Sequence, residues 1–225
     1  MIRTASGAFC VLTLVGLMTT GSRGGGLAFL FSMGTYLLVS HRHRLIGLPA
    51  VFLIIFSVFL VAVGSYAFAP SQIKDKMKER FDPMKSEDVS AFTSGRTVIW
   101  RNGLRLVKAS PVFGHGQNTF VELMEKKFKM SVNSHNDYLL YLVNYGVVGL
   151  LVFLGIFLKV FQHVRRQLLI AEDHWSKRLY LSYLAGFAGY TFAMLGVNVM
   201  EPRYSFWIYT AIVYQYPKIK DRGRA

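Results

Sequence analysis

An uncharged run of 25 residues, at positions 45–69, constrains the fold more than any other feature of the sequence. A helix across the hydrocarbon core of a bilayer needs about 20 apolar residues, so this run is long enough for one tilted crossing. Further apolar runs lie at 5–21, 25–40, 138–161, 179–197 and 204–216. We therefore predict an all-α fold, a polytopic transmembrane helical bundle of about six spans.

The composition supports this prediction, because 52% of the residues are hydrophobic and only 17% are charged, unlike most soluble domains. The run at 5–21 follows Arg3 and has some features of a signal peptide. No small-x-small cleavage site is clear and a second run follows closely, so we interpret it as an uncleaved helix. Cys10, the single cysteine, lies in this run, so no disulfide framework is predicted.

Basic residues in the short connections predict the orientation of the chain. They cluster at 41–44, at 165–178 and in the tail at 218–224. Positive charge in short loops marks the cytoplasmic side, so the C-terminus is expected in the cytoplasm. The predicted organisation is three N-terminal transmembrane helices at 1–69 and a large outer loop at 70–134. Three C-terminal transmembrane helices with a basic cytoplasmic tail follow at 135–225.

The loop at 70–134 contains 12 Lys and Arg against 7 Asp and Glu, which is unusual on the outer side of a membrane. Loops longer than roughly 60 residues cross largely regardless of charge, so the orientation stands. The positive excess fits anionic lipid headgroups or an anionic ligand, and both interpretations stay open. Nucleic acid is not predicted as a partner of this +14 chain, because its basic residues lie in this loop and at the ends of apolar runs.

Three short amphipathic helices are predicted within this loop. The first covers 73–83, the second lies between 94 and 111, and the third covers 120–128. In the second helix, Arg96 lies one turn before Trp100 on the apolar stripe, so its side chain is expected to face protein rather than water. A desolvated arginine needs an anionic or hydrogen-bonding partner.

The loop ends directly before the fourth apolar run. Ser134 is the predicted N-cap, which places His135 and Asn136 in the first helical turn at the outer interface. Helix N-termini favour anions such as phosphate, and a neutral imidazole there can accept a proton. Taken alone, His135 is more often a capping or interface residue. Considered by itself, Arg23 in the first outer turn is explained as an arginine whose side chain reaches to the lipid headgroups.

Three motifs give the chain a resemblance to the C-terminal half of the O-antigen ligase and O-antigen polymerase family of bacterial envelope proteins. Residues 20–24, T-G-S-R-G, are similar to the family's S-R-G element. Residues 94–116 resemble its G-R…W…P-x-x-G-x-G stretch, which begins here at Gly95-Arg96. Residues 135–149 fit the motif H-[NSQ]-x9-G-x-x-G position for position. Exopolysaccharide polymerase-like members are included in this resemblance.

The resemblance implies an inverting, metal-independent glycosyl transfer that uses no cofactor. The donor is a glycan on undecaprenyl diphosphate at the periplasmic face of the bacterial inner membrane. The acceptor is a lipid A core or a growing polysaccharide, in lipopolysaccharide or exopolysaccharide biosynthesis. Arg23 and Arg96 are implied to bind the diphosphate, and His135 is implied to activate the acceptor hydroxyl. The expected supporting residues are Ser22, Asn136, Arg101 and Arg105.

Two other functions stay open beside the ligase or polymerase. Family members typically carry several more spans before the S-R-G element, so a separate N-terminal half is an expected partner. A non-catalytic membrane scaffold, or a truncated paralogue in envelope polysaccharide biosynthesis, is the alternative. A transporter is less favoured, because Asn144 and Asn198 are the few polar candidates within the spans. No metal site is predicted, because His115 and His135 are isolated.

Overall fold

The computed structural model describes residues 15–16, 23–42, 47–67, 71, 74–75, 95–198 and 204–222. All regular secondary structure in these ranges is helical, which confirms the predicted all-α fold. The chain divides into two compact units, Met1–Ser86 and Glu87–Ala225, and each is described by itself.

Two predictions concern parts of the chain outside the described residues. They are most of the apolar run at 5–21 and most of the loop helix at 73–83. Both stay predictions.

The first unit contains two described helices, α1 (Arg23–Arg42) and α2 (Leu48–Ala67). They coincide with the second and third predicted apolar runs. Large side chains of α2 point away from the protein, since Phe52 is 69% exposed and Phe59 is 59% exposed. The hydroxyl of Ser57 donates to the carbonyl of Leu53 at 2.7 Å, so this polar group finds a partner inside its own helix. Both features suit a helix in an apolar solvent.

The second unit contains the helices α3 (Arg96–Ala109), α4 (Phe120–Phe128), α5 (Asp137–Ile170), α6 (His174–Ala193) and α7 (Tyr204–Arg222). The two loop helices, α3 and α4, confirm the predictions for 94–111 and 120–128. Helix α5 continues past the predicted end of its apolar run, through Arg165 and Arg166. An apolar run marks only the part of a helix that suits a bilayer, whereas long charged side chains also favour helix and extend it further.

A hydrophobic core joins α3 and α4 to the first part of α5. Its buried members are Ile99, Leu106, Phe120, Met124, Leu139 and Val143. Gly103 lets α3 approach α5, because a Cβ on this residue would lie 2.8 Å from a terminal methyl of Leu139. The loop helices are therefore packed against the start of α5.

Aromatic side chains connect α5, α6 and α7. Phe157 of α5 lies 5.2 Å from Phe187 of α6 and 5.9 Å from Phe206 of α7, measured between ring centroids. The hydroxyls of Tyr183 and Thr210 form a buried hydrogen bond of 2.8 Å between α6 and α7. These contacts hold the three helices side by side.

Helix α5 is long and apolar enough to cross a membrane, and no other helix within the described ranges meets that test. Only 28% of its most apolar stretch is buried, so most of its apolar side chains face outward. Such a surface is unfavourable in water and suits lipid. Multiple spans are not established by these helices, and about six spans stays a prediction.

Candidate functional site

Helix α5 is broken at Gly146, and a loop from the preceding segment fills the break. Gly146 has φ 67° and ψ −167°, which is not helical. In an unbroken helix, the N–H groups of Val147 and Val148 would bond to the carbonyls of Val143 and Asn144. The break separates these four groups, and each needs another partner.

The loop at 111–116 supplies those partners. Val147 N–H donates to the carbonyl of Pro111 at 2.9 Å, and Val148 N–H donates to that of Val112 at 3.2 Å. In return, the carbonyls of Val143 and Asn144 accept from the N–H groups of His115 and Gly116, both at 2.9 Å. The loop backbone therefore replaces two lost helical hydrogen bonds with four of its own.

Glycines permit this close approach of two backbones. A Cβ on Gly146 would collide with the backbone of Val112, and one on Gly114 would collide with the backbone of Asn144 and Tyr145. Both glycines have positive φ, at 67° and 72°. Gly114 of the second sequence motif and Gly146 of the third thus belong to one structural contact.

The start of α5 differs from the prediction. Asn136, with φ −159°, is the N-cap, and its side-chain oxygen accepts from the N–H of Leu139 at 3.0 Å. Ser134 is therefore not the N-cap, and His135 and Asn136 precede the helix rather than form its first turn. Asparagine caps helices at least as well as serine, and here Ser134 already accepts hydrogen bonds from Trp100 and Asn198.

Ser134 instead anchors the turn that carries His135. It is 0% exposed, and its carbonyl accepts from Nε1 of Trp100 in α3 at 2.9 Å. Its hydroxyl accepts from Nδ2 of Asn198 at 2.9 Å. Between these anchored neighbours, His135 is exposed and has φ 48°, in the left-handed region.

Asp137 lies on the opposite side of the turn from His135. It is 0% exposed, its N–H donates to the carbonyl of Met194 at 2.9 Å, and its carboxylate accepts from Asn198 at 3.3 Å. The carboxylate is thus directed into the protein, while the imidazole of His135 faces out. The turn does not arrange these two residues as a catalytic dyad.

Arg96 lies near enough to His135 for its charge to act on the imidazole. It is the first residue of α3, after Gly95, and is half-buried, as its place on the apolar stripe predicts. Its guanidinium lies 3.4 Å from the position that a Cβ on Gly196 would take. Partial burial, and then the positive charge of Arg96, lower the pKa of His135 below the ordinary value for histidine. The imidazole is therefore neutral near pH 7.

The other predicted site residues are placed differently. Arg101 and Arg105 are exposed on α3, and Arg105 donates to the side-chain oxygen of Asn102 at 3.2 Å. Arg23 begins α1 in the first unit, and Ser22 lies outside the described residues. The second unit thus brings together Arg96 and His135, while the participation of Arg23 and Ser22 stays a prediction.

The turn after α6, at 194–198, contributes contacts that the motifs do not predict. Met194, Gly196 and Asn198 each reach the site from this turn. Asn198 stands out in the sequence only as a polar residue at the end of an apolar run. Nothing in the sequence pairs it with Ser134, because 64 positions separate the two residues.

Comparisons with known proteins agree with the motifs. An uncharacterized protein of Haemophilus influenzae is 27% identical to this chain over 165 residues, a match that covers 60% of this chain and 41% of that protein. The chain thus spans about two fifths of the length of this relative. The sequence profile of the O-antigen ligase family matches residues 8–154. Because that match covers more than half of its residues, the chain belongs to the O-antigen ligase family.

Proposed function

We propose that the chain carries the catalytic site of a membrane glycosyltransferase of the O-antigen ligase or polymerase type. It transfers a glycan from undecaprenyl diphosphate to a lipid A core or to a growing polysaccharide. The reaction takes place at the periplasmic face of the bacterial inner membrane. Family membership supports the reaction class, because the family implies lipid-linked glycan substrates.

The proximity of Arg96 to His135 is the observation that carries this proposal. They come from two separate motifs and two separate elements, yet Arg96 is near enough to lower the pKa of His135. A fixed positive charge beside a neutral, exposed imidazole suits a reaction in which an anion leaves and a proton is accepted.

The proposed reaction assigns one task to each residue. The acceptor hydroxyl attacks the anomeric carbon, and its proton passes to the neutral imidazole of His135. The bond from the anomeric carbon to the diphosphate oxygen breaks, and its electron pair leaves with the diphosphate. The guanidinium of Arg96 stabilises the negative charge that develops there. Attack opposite the leaving group inverts the configuration of the sugar.

The start of α3 adds to the positive potential around Arg96. Gly95 precedes the helix and provides no side-chain cap, so the positive end of the helix dipole lies beside the guanidinium. By their motif positions, Arg23 is proposed as a second cation for the diphosphate, with Ser22 in support. Arg101 and Arg105, on the exposed face of α3, are proposed to attract the anionic donor.

A transporter fits the break in α5 less well. Broken helices in transporters expose backbone carbonyls that coordinate ions near the middle of the membrane. Here the carbonyls of Val143 and Asn144 already accept from the loop at 111–116. This break therefore serves a contact within the protein rather than an ion site.

A complementation experiment tests the proposal. The chain is expressed in cells that lack their own surface-polysaccharide ligase or polymerase, alone and together with the N-terminal spans of a longer family member. Polysaccharide is scored on gels and protein by immunoblot. We expect His135→Ala and Arg96→Ala to abolish the product at equal protein level. Attachment to lipid A core would indicate a ligase, and a change in ladder length a polymerase.

Lys127→Ala is the matched control, because it removes one exposed positive charge from α4, a helix that contains no candidate site residue. It should leave the product unchanged. If the product depends on the chain but survives both His135→Ala and Arg96→Ala, the chain acts as a scaffold and the catalytic proposal is wrong.

A further inference from the structure

The turn at 194–198 contacts Arg96 and the two residues Ser134 and Asp137 that flank His135, although it lies outside the part of the chain matched by the family profile. Met194 accepts from the N–H of Asp137, two residues after His135. Gly196 lies against the guanidinium of Arg96. Asn198 completes the turn and makes the most specific of these contacts.

The side-chain amide of Asn198 joins two buried groups on either side of His135. Its Nδ2 donates to the hydroxyl of Ser134 at 2.9 Å and to the carboxylate of Asp137 at 3.3 Å. Both of these residues are 0% exposed. An ionised carboxylate only accepts hydrogen bonds, so the NH₂ of Asn198 rather than its oxygen faces Asp137.

His135 needs such support because of its backbone conformation. With φ 48°, it occupies the left-handed region, which is unfavourable for residues other than glycine. Such a conformation persists only when the surrounding structure fixes it. The residues on either side of His135 are fixed from two elements: Trp100 of α3 holds Ser134, and the 194–198 turn holds Ser134 and Asp137.

We propose that Asn198 is a positioning residue of the transfer site: by donating to Ser134 and Asp137 at once, it holds the turn that presents His135 beside Arg96. It touches neither substrate nor the reacting atoms. The same turn limits the space around Arg96 through Gly196, so one segment sets the relative position of the acid–base group and the cation. The catalytic part of this inference rests on the proposed glycosyl transfer.

An exchange of the two interacting groups tests the proposal. Asn198→Asp places a second carboxylate against Asp137 and removes both donated hydrogen bonds, so the turn should shift. Asp137→Asn combined with Asn198→Asp restores one amide and one carboxylate in the reverse order. We expect the single Asn198→Asp change to lower glycan transfer roughly tenfold to a hundredfold, and the double change to recover most of it.

A second readout follows His135 directly and needs no transfer activity. Diethylpyrocarbonate modifies neutral imidazole, and peptide mass spectrometry gives the modification rate of His135 as a function of pH. The charge of Arg96 acts on the pKa of His135, and Asp137 follows His135 by two residues. Asn198→Asp should change both the rate and its pH midpoint, and the double change should return them to the original values.

Asn118→Asp is the matched control, because it makes the same change at an exposed asparagine of the same unit. The φ of 60° at this position suits aspartate as well as asparagine. Both readouts should stay unchanged for this variant. If Asn198→Asp fails to accumulate, Asn198→Ser keeps one donor and should give a smaller effect of the same kind.

The outcomes separate the two proposals. If transfer and the reactivity of His135 are unaffected by Asn198→Asp, Asn198 has no positioning role. If transfer falls but the double change restores neither readout, the effect is a general loss of structure and the inference is again wrong. If the original chain transfers no glycan, the function proposal fails, and the reactivity of His135 alone decides whether Asn198 positions it.

Discussion

At His135, exposure to solvent and a lowered pKa occur together. Partial burial is the larger cause of the lower pKa, and the charge of Arg96 is the second. A nearby positive charge makes protonation of an imidazole less favourable, so the neutral form extends to lower pH. This is the form that can accept a proton from an attacking hydroxyl.

A charge-removing change at Arg96 should therefore raise the pKa of His135. With Arg96→Gln, we expect the pH midpoint of diethylpyrocarbonate modification at His135 to move up toward the ordinary value. The midpoint should stay below the ordinary value, because His135 remains partly buried. Arg96→Lys keeps the positive charge and should leave the midpoint near its original place. An equal midpoint in all three proteins would contradict the electrostatic effect of Arg96 on His135.

At the scale of the elements, the contact between the 111–116 loop and α5 connects the two catalytic candidates. Helix α3, which carries Arg96, leads into this loop, and α5 begins two residues after His135. The four backbone hydrogen bonds at the break fix the far end of α3 against α5. Gly103 and Leu139 fix its middle, so α3 and α5 behave as one support for the site.

A methyl group at the break should disrupt this support. Gly146→Ala adds a Cβ that collides with the backbone of Val112, at a φ of 67° that alanine adopts poorly. We expect a loss of about 2 kcal/mol or more in stability, measured by thermal unfolding in detergent. Limited proteolysis should also cut the 111–116 loop faster.

Gly155→Ala is the control within the same helix. A Cβ there meets nothing within 4 Å, and alanine favours helix over glycine, so stability should be unchanged or slightly higher. Equal stability of Gly146→Ala and Gly155→Ala would contradict a stabilising role for the contact between the loop at 111–116 and α5.

At the scale of the whole molecule, α5 separates the site from two arginines near the C-terminal end of the same helix. The 24 residues of α5 after the break at Gly146 extend about 36 Å, more than the roughly 30 Å of a hydrocarbon core. His135 lies before its first residue, and Arg165 and Arg166 lie near its last. If α5 crosses the membrane, the site and these arginines face opposite sides, with the arginines in the cytoplasm.

Cysteine labelling tests this orientation. In a Cys10→Ser background, Gln117→Cys lies at an exposed position between α3 and α4, and Glu172→Cys lies between α5 and α6. We expect an impermeant maleimide to label Gln117→Cys in intact spheroplasts and Glu172→Cys only after permeabilisation. Labelling of both positions in intact spheroplasts would mean that α5 does not cross the membrane.

Helix positions were largely readable from the sequence, because apolar periodicity and turn residues act locally. The boundaries of α4 were predicted to the residue, and those of α3 to within a few residues. The capping residue of α5 was predicted wrongly, as Ser134 instead of Asn136. Both residue types cap helices well, and only the distant bonds from Trp100 and Asn198 decide which of them is free to do so.

By itself, the sequence determined the helical class, the glycines of the motifs, and two candidate site residues. These are Arg96 as the cation and His135 as the acid–base group. Each depends on residue type and short spacing, which are visible along the chain. Only the tertiary structure decided that Arg96 lies beside His135, that two glycine motifs form one backbone contact, and that Asn198 holds the turn between Ser134 and Asp137. These depend on contacts between residues far apart in the chain, and such contacts form only when the helices pack.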